Sequence, residues 1–474
     1  MGITMTKPEL LSPAGSLKNM RYAFAYGADA VYAGQPRYSL RVRNNEFSLE
    51  NIQIGINEAH QLGKKFYLVN NIAPHNGKLK TFLKDISPVI AMKPDALIMS
   101  DPGLIMLVRE NYPDMPIHLS VQANAVNWAT VKFWQQQGVE RVILSRELSL
   151  DEIEDIRLHC PEMELEVFVH GALCMAYSGR CLLSGYINKR DPNQGTCTNS
   201  CRWKYDTHEA KETETGDIVA VNPLHKAPEI YQPETYSSKE SNPDQQQPID
   251  DIILLQEQGR PGEYMPAFED EHGTYIMNSK DLRAVEHVER LVKMGVHSLK
   301  IEGRTKSFYY CARTAQVYGK AINDAVADRA FDPLLNTDLE HLAHRGYTEG
   351  FLQRHRPSDT QNYDYGYSKS DTQQFVGEVL GRSEQNGLVE IDVKNKFLTG
   401  DKLELMTPKG NVSFTLTHMI HNKTGETITD AKGSGHQVSI KLETDLDLSF
   451  AIIMRYLTDG GTTRHPFTQN QADK

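Results

Sequence analysis

Four stretches of the chain decide its fold: YGADAVYAG (26–34), MKPDALIMS (92–100), QGVERVILS (137–145) and MGVHSLKIEG (294–303). Each leaves an amphipathic helix through a small or polar turn and enters a short apolar strand. Working outward from them, the same unit recurs through the N-terminal two-thirds of the chain. Strands are predicted at Glu9–Ser12, Ala30–Gly34, Lys65–Asn70, Ala96–Ser100, Ile117–Gln122, Arg141–Ser145 and Leu165–His170. Helices at Ser16–Tyr26, Leu49–Leu62, Leu104–Asn111, Ala129–Gln137 and Leu150–His159 separate them, the first with Ser16 as N-cap and Gly27 just past its end. Near-continuous apolar strands alternating with helices belong to a parallel sheet covered on both faces. Seven units and one more at His297–Gly303 make eight, which favours a (β/α)8 TIM-like barrel over an open doubly wound sheet. A ninth strand candidate, Thr274–Met277, has no place in that ring.

In such a barrel, functional groups gather where the strands end. Those ends carry Ser12, Asn70-Asn71, Ser100-Asp101, Gln122 to Asn124, Ser145-Arg146-Glu147, His170-Gly171 and Lys300 to Arg304. Turns and helix caps account for most polar residues at such places. The charged groups Arg146, Glu147, Glu302 and Arg304 are the candidates for substrate or cofactor contact, and His170 is a candidate supporting donor. His75 and His118 read as structural histidines.

The chain has 474 residues, 51 Lys+Arg and 62 Asp+Glu, a formal net charge of −11. No run of 18 apolar residues is present, and the start lacks the basic and apolar regions of a secretory signal, so a cytoplasmic chain with reduced thiols is expected. An acidic balance argues against a generic polyanion binder. The acidity is local, however. Residues 206–263 hold 13 acidic and 4 basic residues, leaving 47 basic and 49 acidic elsewhere, a body near −2. That stretch is rich in Pro, Glu, Ser and Gln and reads as a disordered insertion. Its flanks, Arg202–Tyr205 and Thr274–Met277, are expected to pair as a hairpin that takes the ninth strand out of the barrel.

Four of the six cysteines, Cys174, Cys181, Cys197 and Cys201, lie together, whereas Cys160 and Cys311 stand apart and read as small buried apolar groups. The surrounding segment EVFVHGALCMAYSGRCLLS (166–184), with LSPAGS (11–16), NSKDL (278–282) and KIEGR (300–304), resembles the signature blocks of the peptidase U32 family, historically called collagenase-like. The resemblance runs from about residue 8 to 457, apart from the insertion. Within the family it is to the members that act as prephenate-dependent tRNA uridine hydroxylases. It implies conversion of a wobble uridine in the tRNA anticodon loop to 5-hydroxyuridine. It also implies a 4Fe–4S cluster on the four clustered cysteines. Their spacing, C-x6-C-x15-C-x3-C, suits an iron–sulfur cluster as well as or better than structural zinc, which favours two tight knuckles.

Hydroxylation needs an oxygen source and a redox partner that no side chain supplies. Prephenate as co-substrate carries two carboxylates, for which Arg146 and Arg304 are the natural forks. Arg41 and Arg43, with Arg180, Lys189, Arg190 and Arg202 around the cysteines, are candidate RNA contacts. Tyr177, Tyr186 and Trp203 are available to stack on a base turned out of its loop. Two alternatives stay open: a U32-type peptidase, although neither HExxH nor GxSxG occurs, and a non-catalytic iron–sulfur or RNA-binding accessory protein.

From Phe375 the pattern changes to short strands separated by turns such as Gln385 to Gly387, and a small antiparallel β-barrel is expected. Lys394, Lys396, Lys402 and Lys409 would give it a modest basic face. The expected organisation is a catalytic barrel over 8–328 carrying the 206–263 insertion, a connector over 329–370, the β-domain over 371–457 and a tail over 458–474.

Overall fold

A computed structural model describes residues 6–40, 46–173, 280–344, 346–353, 372–433 and 435–457 in full, and the backbone of five strand segments between 205 and 274. The N-terminal repeat forms β1 (Glu9–Pro13), β2 (Ala30–Gly34), β3 (Lys65–Asn70), β4 (Ala96–Met99), β5 (Ile117–Leu119), β6 (Arg141–Ile143) and β7 (Glu164–Ala172). Each pairs in parallel with the next. The helices between them are α1 (Leu17–Ala25), α2 (Leu49–Gln61), α3 (Asn76–Ala91), α4 (Pro102–Asn111), α5 (Trp128–Gln136) and α6 (Leu150–His159). The Ser16 side chain accepts from the Asn19 amide at the start of α1, as expected of an N-cap, and Ser149 with Glu152 builds a full capping box on α6. These caps fix where each helix leaves the strand end, and so where the mouth begins.

The five segments between 205 and 274 are strands: β8 (Tyr205–Glu212), β9 (Ile218–Ala220), β10 (Ile252–Glu257), β11 (Tyr264–Asp270) and β12 (Gly273–Thr274). They form a separate antiparallel sheet in the order β12-β11-β10-β8-β9. Over these positions the reading of 206–263 as disordered is therefore corrected. Apolar, β-branched runs such as Ile218–Ala220 and Ile252–Glu257 favour strands, and the polar average of the stretch conceals them. The expected hairpin is corrected too: β8 pairs with β10 and β9, and Thr274 pairs with Glu269 of β11. Thr274 is outside the barrel in either arrangement.

The chain returns through β13 (Asp281–Arg283), a strand not anticipated, which runs antiparallel to the end of β7. After α7 (Val288–Lys293), β14 (Ser298–Ile301) pairs in parallel with both β7 and β1 and closes the eight-stranded barrel. Next comes α8 (Phe308–Val326), then α9 (Leu334–Glu340) and β15 (Tyr347–Thr348), which lies parallel to β13 and extends the barrel rim. No helix among the described residues is long and apolar enough to cross a membrane.

The tail domain comprises β16 (Gln373–Arg382), β17 (Val389–Val393), β18 (Phe397–Leu398), β19 (Lys402–Thr407), β20 (Gly410–Thr415), β21 (Met419–His421), β22 (Asp430–Ala431), β23 (Gln437–Ile440) and β24 (Ile452–Tyr456). Seven make one antiparallel sheet, and β18 with β22 makes a second ladder. Alternating apolar residues, Val389, Ile391 and Val393 among them, fill its core. The domain docks on α1 and α8. Tyr26 donates to the Met406 and Phe450 carbonyls, and the fully buried Arg313 lies 3.1 Å from Glu404. Burial from both sides explains why α8 is apolar or internally paired around nearly its whole circumference.

Candidate functional site

The inside of the barrel is charged where branched apolar side chains are usual. Near its N-terminal end, Arg141 of β6 donates to Glu9 of β1 at 2.6 Å and stands 3.3 Å from Glu166 of β7. Tyr67 donates to the same Glu9 at 2.6 Å, and His118 packs edge-on against Tyr67. Burial, reinforced by Arg141 and Lys300, holds the His118 imidazole well below its ordinary pKa, so it stays neutral, in keeping with a structural role. One layer higher, Lys300 of β14 donates to Glu166 at 2.7 Å and lies 4.3 Å from the centre of the Tyr32 ring. Burial pushes the Lys300 ammonium down from its usual pKa, and Glu166 opposes that shift.

The mouth is built on this floor. Arg146 lies over the Phe168 ring at 3.9 Å, donates to the Ala172 carbonyl at 2.7 Å and meets Glu302 at 3.4 Å. Its Nε is buried and has no hydrogen-bond partner among the described residues. The Tyr32 hydroxyl donates to the Ile301 carbonyl at 2.9 Å and reaches Glu302 at 3.4 Å. Arg304 donates to Ser39 at 2.6 Å, with its guanidinium 5.8 Å from the Tyr32 ring. A side chain on Gly34 would sit 2.6 Å from Arg304 Nη1, so glycine there makes room for the guanidinium. Glu147 accepts a hydrogen bond from Ser145, whose hydroxyl also meets Asn124 at 3.1 Å.

Four of the five expected charged mouth residues or supports thus gather at the strand ends: Arg146, Glu302 and Arg304 around Tyr32, with Glu147 alongside on Ser145. His170 goes elsewhere. Strand alternation from Glu166 and Phe168 would turn it into the barrel. The β7–β14 register shifts between Lys300 and Ile301, so that Phe168 faces Lys300 while His170 faces Ile301. This bulge turns the imidazole against Tyr310, Tyr318 and Tyr347, with Nδ1 3.3 Å from the Tyr318 hydroxyl. Burial depresses its pKa to about 3, with Asp281 opposing. Gly171, at φ +106°, follows the bulge and lets the chain pass the Glu302 carbonyl, which a Cβ would strike.

Lys300, Glu166, Tyr32, Phe168 and Ser39 were not singled out by sequence reasoning. For Lys300 and Glu166, a charge inside a strand that otherwise reads as apolar was the available signal. Among the described residues no group of three His, Cys, Asp or Glu side chains is placed to hold a metal. Cys174, Cys181, Cys197 and Cys201 lie outside the described residues, as do Arg41, Arg43, Arg180, Lys189, Arg190, Arg202, Tyr177, Tyr186 and Trp203. In sequence, Cys174 follows the Arg146-bound Ala172 by two positions, so β7 delivers the chain to the mouth just before the cysteine segment begins. Cys160 and Cys311 are buried, and burial pushes the Cys311 thiol up to about 12. In the tail domain Lys394 pairs with Asp392 and Lys396 with Asp430, which reduces the free positive charge of that face, while Lys402 lies over Tyr456.

A family model for peptidase family U32 matches residues 15–362, and one for the peptidase family U32 C-terminal domain matches residues 371–455. The chain is 69% identical over 462 residues to a tRNA hydroxylation protein P of Escherichia coli, covering 98% of this chain and 99% of that protein. It is 65% identical over 465 residues to a tRNA hydroxylation protein P of Haemophilus influenzae, with 98% and 99% covered. A more distant relative, a 23S rRNA 5-hydroxycytidine synthase of Escherichia coli, is 27% identical over 435 residues, covering 90% of this chain and 56% of that protein.

Proposed function

The chain belongs to the peptidase U32 family, and we propose that it is an enzyme that hydroxylates tRNA rather than a peptidase. The observation that carries this reading is the 69% identity over nearly the full length of both chains to a tRNA hydroxylation protein. The two cysteines of the described residues speak against a thiol protease built on them, since both are buried and their thiol pKa values are raised by burial. The target is a wobble uridine of the anticodon loop, converted to 5-hydroxyuridine, and the cytoplasm, where thiols stay reduced, is the place of reaction. A base inside a stacked loop must be turned outward to be reached, and the open strand ends of the barrel are where it would enter.

The donor set of Cys174, Cys181, Cys197 and Cys201 fits a 4Fe–4S cluster: four thiolates, with the remaining two cysteines occupied as buried apolar groups. When bound, the cluster would supply the redox chemistry that side chains lack. The protein's own residues bind and orient. Arg146 is anchored by the Ala172 carbonyl and Glu302, with an Nε donor that no described residue takes up, which suits it to grip a carboxylate of prephenate. Arg304, held by Ser39 with its guanidinium 5.8 Å from the Tyr32 ring, is the second cation of the pair.

Two measurements test this reading. Anaerobically purified protein should show an iron–sulfur absorbance with about four irons per chain, and Cys174→Ala should lose it. In cells with no parallel route to the modification, tRNA mass spectrometry should find 5-hydroxyuridine with the wild-type chain and none with Cys174→Ala. A colourless, iron-free protein with intact thiols would count against the cluster. Undiminished 5-hydroxyuridine in the variant would remove the four cysteines from the reaction.

A further inference from the structure

Lys300 has no part in the reading above, yet its place in the fold demands a reason. Lys300 and Glu166 are 4% and 0% exposed in the barrel interior, 2.7 Å apart. A buried ion pair of this kind is commonly no more stabilising than an apolar pair of equal volume, so stability alone does not account for it. Its neighbours do. The ammonium stands 4.3 Å from the centre of the Tyr32 ring and 5.5 Å from that of Phe168. Tyr32 reaches Glu302 through its hydroxyl, and Phe168 carries the Arg146 guanidinium on its ring. Both rings beneath the Arg146–Glu302 pair therefore touch one buried cation. Arg141, Glu302 and Arg304 complete the charges around this layer.

We propose that Lys300 is a positioning residue for the reaction at the barrel mouth. Seated on Glu166, its ammonium holds the Tyr32 and Phe168 rings, and through them the orientation in which Glu302 and Arg146 meet the substrates. This rests on the mouth being the site of tRNA hydroxylation. A Lys in this place acts through aromatic rings and a neighbour's carboxylate and touches no substrate itself. Arginine, which is cationic, pairs with carboxylates and stacks on aromatic faces, is the replacement that preserves the function.

The test uses the full-length holoprotein, its tRNA substrate, and three variants. Lys300→Met with Glu166→Gln removes one positive and one negative charge together, leaving Arg141 paired with Glu9 and Glu164. This double variant should stay folded, bind tRNA within about twofold of wild type, and turn over about tenfold more slowly, the loss falling on kcat rather than on KM. Lys300→Arg should recover most of the rate. Tyr32→Phe keeps the ring and removes the hydroxyl with its bonds to the Ile301 carbonyl and to Glu302, and should lower kcat about fivefold with tRNA affinity unchanged. A folded double variant, or Tyr32→Phe should the double variant fail to fold, that works within about twofold of wild type would overturn the proposal. Wild-type protein that makes no hydroxylated uridine would overturn the functional reading instead, and this inference with it.

Discussion

Replacing Arg146 by alanine removes three contacts at once: the 2.7 Å hydrogen bond to the Ala172 carbonyl, the 3.4 Å approach to Glu302 and the guanidinium face on Phe168 at 3.9 Å. A hydrogen bond from a charged donor contributes about 1.5–3 kcal/mol. A partly desolvated cation–π contact adds about 0.5–2 kcal/mol. The pair with Glu302 is counted as nothing further, because its partners keep some solvent access, with side chains 12% and 18% exposed. These contacts fix the orientation of the guanidinium, and losing it with about 3 kcal/mol of transition-state stabilisation lowers turnover about 160-fold, at about 1.36 kcal/mol for each tenfold. Arg146→Lys keeps the charge but not the fork that reaches Ala172 and Glu302 together, and should cost about tenfold. The assay is single-turnover conversion of purified tRNA, followed by mass spectrometry of its nucleosides, with thermal denaturation run alongside to confirm folding. A folded Arg146→Ala protein within about threefold of the wild-type rate would refute the assignment of this guanidinium to the reaction.

Two further outcomes concern stability. Glu404→Leu leaves the fully buried Arg313, at the junction of α8 and the tail domain, with only Gln373 and the more distant Asp338, and should cost about 3–5 kcal/mol in chemical denaturation; adding Arg313→Met should recover part of it, since the buried Asp338 then loses its cation. Equal losses in the single and double variants would show that the pair is not the source. His170 is neutral in the folded protein down to about pH 3, whereas an unfolded histidine takes up a proton below about 6.5. The unfolded chain then binds more protons across that window, so stability falls as the pH is lowered through it. His170→Phe should abolish roughly 2 kcal/mol of the loss between pH 6.5 and pH 5. Parallel acid-denaturation profiles for variant and wild type would rule out this histidine as their cause.

The barrel was legible because its signal is local and repeated. A helix end, a turn and an apolar strand need only neighbours in sequence to be recognised, and β3 falls on Lys65–Asn70 as read. Strands of three residues such as β5 and β6 are shorter than expected, because Val121–Ala123 tightens into a 3-10 turn and the chain leaves β6 after Ile143. The sheet of β8 to β12 was missed for a different reason. Its apolar segments are brief and lie within a long polar stretch, so a compositional average describes the stretch and not the segments. Which way His170 turns at the end of β7 was not legible, since a bulge is set by the register of β7 against β14 and leaves no mark in either strand alone.

By itself the sequence determined the eight-unit repeat, the antiparallel character of the tail, the grouping of four cysteines and the charged residues at the strand ends. These follow from spacing along the chain and from the chemistry of each side chain. Only the tertiary structure decided which of those charges meet. Lys300 and Glu166 are 134 residues apart in sequence and 2.7 Å apart in the barrel, and Arg146 and Glu302 are separated by 156 residues. Closure of β14 between β7 and β1 brings them together, because a ring of strands sets which inward side chains share a layer, and no local pattern carries that information.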